Sequence, residues 1–140
     1  MKQRGFTVIE LIVVIAFLIF SGVLFMVQKN NIQVANRDEE RKTAINAMYF
    51  SLEEAFYAKN GYYPTQVDEK NLTTMDEFLL TDPRGIKIGQ TTEIINDEAV
   101  PVQSDYRYEP TNCADEKCKS YTLRADLEGE ADYTKTSKNN

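Results

Sequence analysis

From Phe6 to Val27 the chain is an apolar run that carries one charge, Glu10, and Lys2-Gln3-Arg4-Gly5 stands immediately before it. About 20 such residues are enough for a helix to cross a bilayer, and a carboxylate inside that helix costs roughly 2.5–3.5 kcal/mol or more unless a partner meets it. The segment is therefore restricted to a helix that needs lipid or protein on nearly every side, and Glu10 needs a cation. The nearest conceivable one is the α-amine that Phe6 would carry if the peptide bond after Gly5 were cut. The apolar core is too long for a cleaved secretory signal, whose core has about 7–15 residues, and Ser21-Gly22 is a feeble cleavage site. A plain anchor would fit the length but gives Glu10 no role. Lys2 and Arg4 ahead of the span direct everything after Lys29 outward by the positive-inside bias.

The string Arg4-Gly5-Phe6-Thr7-Val8-Ile9-Glu10, followed by Leu11-Ile12-Val13-Val14-Ile15, resembles the class III signal of type IV pilins and of the pseudopilins of type II secretion. The resemblance implies a leader at residues 1–5, removed by a prepilin peptidase that cuts between Gly5 and Phe6 and methylates the Phe6 amine. It implies a transmembrane and filament-core helix at 6–28, in which Glu10 meets the Phe6 amine of the next subunit. The expected partners are the peptidase, further copies of the chain in a helical homopolymer, the pilus or secretion assembly machinery, and the membrane before assembly. The expected location is the cytoplasmic membrane, single-pass with the C-terminal domain outside, and then an extracellular or periplasmic filament.

Beyond the run, Val34, Ala44, Ile45, Met48, Leu52, Ala55 and Phe56 fall at three- and four-residue spacing, so the helix is expected to continue as an amphipathic stretch over 29–60, to about Lys59. Ser21-Gly22 and Asn30-Asn31 are its expected bend and weak point. Asn60-Gly61 stops it, and Tyr62-Tyr63-Pro64-Thr65 leaves extended, the aromatics covering the helix end. This loop again resembles that of pilins and pseudopilins. Thr74-Met75-Asp76-Glu77 has capping-box form and predicts a short helix through about Leu80, ended by the Thr81-Asp82-Pro83-Arg84-Gly85 turn. Asp82-Pro83-Arg84-Gly85 is similar to the Asp-Pro-Trp-Gly motif of major pseudopilins except at Arg84, and this departure, with the cysteine-closed loop, favours a pilus subunit over a pseudopilin.

Short strands are expected at Ile86-Ile88, Ile94-Ile95, Val100-Val102, Tyr106-Tyr108, Tyr121 to Leu127 and Tyr133 to Thr136. An antiparallel sheet packed on the helix follows, because it buries the helix stripe against the alternating face of the strands. The fold class is thus α+β, with a head domain at 61–140, which the resemblance equates with the pilin fold.

The chain has 16 Lys and Arg against 22 Asp and Glu; setting aside Lys2, Arg4, Lys29 and Glu10 leaves 13 against 21, a net of about −8. Such a surface is unsuited to direct nucleic-acid binding, which needs clustered cations. Cys113 and Cys118 enclose four residues and suit a small-loop disulfide in an oxidising space, with two free thiols the alternative. There is no histidine and no third cysteine for a zinc site. No glycine-rich phosphate loop or nucleophile elbow is present, and the expected activity is non-enzymatic. Glu39-Glu40, Glu53-Glu54 and Asp115-Glu116 read as solvated faces. Asp97, Glu98, Asp105 and Asp115 are hard oxygen ligands in expected loops, and likeness to major pseudopilins makes calcium the one cofactor to look for there. An extracytoplasmic binding domain on a single anchor, which never polymerises, is the reading from another class.

Overall fold

A computed structural model describes residues 7–139, so Gly5 and Phe6 lie outside the described residues. The chain divides into two compact units, one ending at Ala35 and a head that starts at Asn36. Helix α1 spans Val8–Phe50, a π-helical stretch follows at Ser51–Tyr57, and α2 closes the helical run at Ala58–Asn60. The expected extension to about Lys59 is therefore present. The helix runs unbroken through both Ser21-Gly22 and Asn30-Asn31. Gly61 takes the left-handed conformation at φ 72°, and its amide returns to the Tyr57 carbonyl at 2.8 Å.

Within the head, the buried stripe of α1 is Asp38, Arg41, Ala44, Ile45 and Met48, and Leu52 continues it. Its apolar members, Ala44, Ile45, Met48 and Leu52, pack in one core with Tyr63, Leu72, Leu80, Tyr106, Tyr121, Leu123 and Ala125. The strands that supply this core are β1 (Tyr63–Pro64), β4 (Tyr106–Ala114), β5 (Lys117–Ala125) and β6 (Tyr133–Thr136); β2 (Thr92–Ile95) and β3 (Glu98–Pro101) form a separate hairpin. Strand β5 is central, with β4 antiparallel along one edge and β1 and β6 sharing the other. Tyr121, Leu123 and Ala125 alternate inward on β5 as their spacing requires. This is an α+β fold, a long N-terminal helix packed on a small antiparallel sheet.

Three expectations need correction. The Thr74 capping box does not form: Thr74 Oγ1 instead meets Ser51 Oγ at 2.7 Å, and the short helix is a 3₁₀ turn at Glu77–Leu80 entered from Asp76. A single 3₁₀ turn has few orphan donors for a box to satisfy. Ile86-Ile88 is not a strand, although Thr81 and Lys87 form one bridge and Ile88 is buried. Finally Glu53 is buried, not solvated. The π-helical stretch brings Ser51, Leu52 and Glu53 consecutively into the interior, and Glu53 accepts hydrogen bonds from the Tyr63 and Tyr121 hydroxyls and the Lys138 amide. Burial, reinforced by the Glu53 carboxylate, pushes the Tyr63 hydroxyl up to about 12.

Candidate assembly site

The first residues described are a helix start. Thr7-Val8-Ile9-Glu10 matches the capping-box pattern, and the side chains use it reciprocally. The Thr7 amide donates to Glu10 Oε2 at 2.8 Å, the Thr7 hydroxyl donates to the same oxygen at 3.0 Å, and the Glu10 amide donates back to Thr7 Oγ1 at 3.4 Å. The pattern was present in the sequence beside the basic leader and the apolar run, which drew attention to the charge of Glu10 and away from its spacing to Thr7. Glu10 thus has a partner in its own chain. These bonds engage one of its two carboxylate oxygens and supply no opposite charge.

Behind that cap the helix is apolar and uncovered. Its most hydrophobic 18-residue window has a mean hydropathy of 2.9 and none of it is buried. Ile9, Phe17, Phe25 and Met26 are 71%, 69%, 72% and 72% exposed, and at 3.6 residues per turn these are spread round the whole helix, so no one face is spared. A helix that is apolar all round is stable only when lipid or other protein surrounds it. By length and composition it can cross a membrane.

The two cysteines are joined. Cys113 and Cys118 are opposed across β4 and β5, and the two-residue turn Asp115-Glu116 between them has both residues at positive φ, 48° and 62°. Left-handed backbone costs residues other than glycine about 1–2 kcal/mol each, and the disulfide next to the turn offsets this by holding the strand ends together.

The loop acids proposed as calcium ligands are not gathered. Among the described residues, no three His, Cys, Asp or Glu side chains form a metal-binding group. Asp97 occupies the β2–β3 turn, Glu98 begins β3 and Asp115 lies in the β4–β5 turn. Asp105 is taken by two guanidiniums, Arg41 at 2.8 Å and Arg84 at 2.5 Å.

That contact belongs to a network which fastens α1 to the head loops. Arg41, 1% exposed, also pairs with Asp38 at 2.8 Å and Glu128 at 2.7 Å, and Glu128 pairs with Arg37. Asp38 accepts the Glu128 and Gly129 amides. Hydrogen bonds from Arg37 and Arg41 hold the Glu128 carboxyl down at about 2. Burial pulls the Arg41 guanidinium down, but the Glu128 and Asp105 carboxylates outweigh it and the net shift is upward. Asp82 organises the neighbouring turn: its buried carboxylate accepts the Arg84, Ile86 and Asp105 amides at 2.8 to 2.9 Å. The side chain of Arg84 crosses to Asp105 and to the Gln103 carbonyl.

No protein-family model, curated protein or solved structure matches this chain.

Proposed function

We propose that this protein is a non-enzymatic structural subunit of a type IV pilus filament, made as a membrane-anchored precursor, cut between Gly5 and Phe6, methylated at Phe6 and assembled through its N-terminal helix. The single observation that carries the reading is Glu10, a carboxylate at the head of a helix that is apolar and uncovered on every side. Two isolated intramembrane charges are each costly, and joining Glu10 to the Phe6 amine of a neighbour favours lateral association and sets the axial register. The α+β head provides the exposed surface of the fibre. Its disulfide suits the oxidising space beyond the membrane.

The Thr7–Glu10 bonds favour a second reading, an anchored extracytoplasmic domain in which the carboxylate serves only as a helix cap. Glu10→Gln separates the two, because glutamine keeps an acceptor for the cap and removes the charge. Under the filament reading, cells carrying it retain a processed, membrane-inserted subunit and lose filaments in shear fractions and electron micrographs. Wild-type filament yield from Glu10→Gln rejects the pairing, and an intact mass that retains Met1 in wild-type filaments rejects the processing.

A further inference from the structure

We propose that the β2–β3 hairpin of one head docks on a second copy of this chain, against the basic and aromatic surface at the other end of the neighbour's sheet. The proposal rests on the polymer reading above and adds which surfaces of the heads meet.

The hairpin lacks a covering element in its own head. Residues 91–99 are all exposed, with Ile94 at 69% and Ile95 at 45%, and the pair forms a two-stranded sheet separate from the four-stranded one. Because successive strand residues point to opposite faces, Ile94 and Ile95 place apolar surface on both sides. An isolated two-stranded hairpin is marginal in water, and its open edges are templates for another chain. Its charge has one sign only. Glu93, Asp97 and Glu98 make no ion pair among the described residues, and no Lys or Arg occurs between Lys87 and Arg107.

The complementary surface lies where the helical run ends. Phe56 and Tyr62 meet edge to face at 5.8 Å, and Lys117 Nζ lies 5.2 Å from the Tyr62 ring centre. On one side of this pair is a hollow lined by Gly61, Tyr62, Lys117 and Lys119; on the other is one lined by Phe56, Lys59 and Lys70. Lys70 is offset by its neighbours Asp68 and Glu69, but among the described residues Lys59, Lys117 and Lys119 form no ion pair, and against Asp115 and Glu116 at the adjacent turn they leave this surface net positive.

Strand β4 sets the two surfaces apart. The hairpin leads through residues 102–105 into Tyr106 at the start of β4, whereas Lys117 pairs with Ala114 at its end. Nine residues of strand place them on the order of 27 Å apart. A contact between two different surfaces at opposite ends is heterologous, the type that can repeat as an open helix, as a filament requires. Hairpin against hairpin would repel, so the charges also fix direction.

The test is a charge exchange in the full-length chain expressed in cells. E93K/E98K and K59E/K117E are made separately and together, and filament yield is read from shear fractions. Each pair alone is expected to lower the yield about tenfold or more, since like charges then face each other, and the combination to recover most of it. A benzoylphenylalanine photo-cross-linker at Ile95 is expected to join peptides containing Tyr62 or Lys117 of another copy, and this readout decides if an exchanged variant fails to fold. Unchanged yield in the exchanged variants, absence of recovery in the combination, or cross-links that map elsewhere overturn the docking. Absence of filaments from the wild type overturns the polymer reading instead.

Discussion

Replacing Arg41 by alanine removes the side chain on which the head's polar interior converges. The guanidinium touches three carboxylates, Asp38, Asp105 and Glu128, whose side chains are 3%, 13% and 36% exposed. Removing one partner of a buried ion pair costs about 3–5 kcal/mol, because the other charge is left without compensation. Here each carboxylate keeps a second donor: Asp38 has the Glu128 and Gly129 amides, Asp105 has Arg84 at 2.5 Å, and Glu128 has Arg37. The partial exposure of Glu128 adds solvent screening. The expected loss for Arg41→Ala is therefore at the low end, about 3 kcal/mol. For a head of this size that corresponds to roughly 12–24 °C in Tm. Arg41→Lys restores charge but not the fork that reaches several oxygens at once, and should fall between the two. Urea unfolding of the detergent-purified chain, followed by tyrosine fluorescence, measures it. A loss under about 1 kcal/mol would mean that the cluster behaves as an ordinary surface pair, and the argument from burial would be wrong.

Cys113→Ser opens a very short covalent loop and should cost about 2 kcal/mol, with unreduced wild-type protein showing a mass two hydrogens below the reduced form; rapid alkylation of both thiols in folded, unreduced protein would contradict it. Acid should weaken the head, because the Glu128 and Asp38 carboxyls are held below their unfolded values, Glu128 at about 2 by its bonds to Arg37 and Arg41. The unfolded chain then takes up protons first, so the stability they give is present above about pH 5 and is lost as pH falls toward about 2. Alkali acts through Tyr63, Tyr106, Tyr108 and Tyr121, each raised chiefly by burial, and their contribution is lost as pH rises past about 10. A urea midpoint that stays flat from pH 7 to pH 3 would refute the acid arm.

The elements that were legible in the sequence are those whose side chains repeat. The three- and four-residue spacing of Ala44, Ile45, Met48 and Leu52 gave the buried stripe of the helix, and the alternation at Tyr121, Leu123 and Ala125 gave the central strand. Gly61 marked the helix end because left-handed backbone suits glycine. Elements decided by distant partners were not legible. Glu53 beside Glu54 has the sequence of a solvated pair, and only the π-helical stretch and the tyrosines of β1 and β5 show why it is inside. Asp105 looked like a cation ligand because its guanidinium partners come from positions 64 and 21 residues earlier, Arg41 and Arg84. The charged network has no period to read.

Whether Glu10 needs a second subunit is a question of magnitudes. A helix cap is worth about 1 kcal/mol, while an unpaired carboxylate in the membrane costs roughly 2.5–3.5 kcal/mol or more. The Thr7–Glu10 bonds thus offset part of the cost and leave up to about 2 kcal/mol per subunit that a neighbouring cation would remove. In the proposed polymer that remaining unfavourable energy would be a driving force for pairing, which a monomeric anchor would avoid by carrying Gln or Ser at the same position. Thr7→Val isolates the two contributions: it deletes the hydroxyl bonds and keeps both the Thr7-position amide and the Glu10 charge. It should loosen the helix start and leave filaments near wild-type yield, in contrast to Glu10→Gln. Shear-fraction blots of both variants side by side measure this, and equal loss of filaments in the two would assign the effect to capping and refute the pairing.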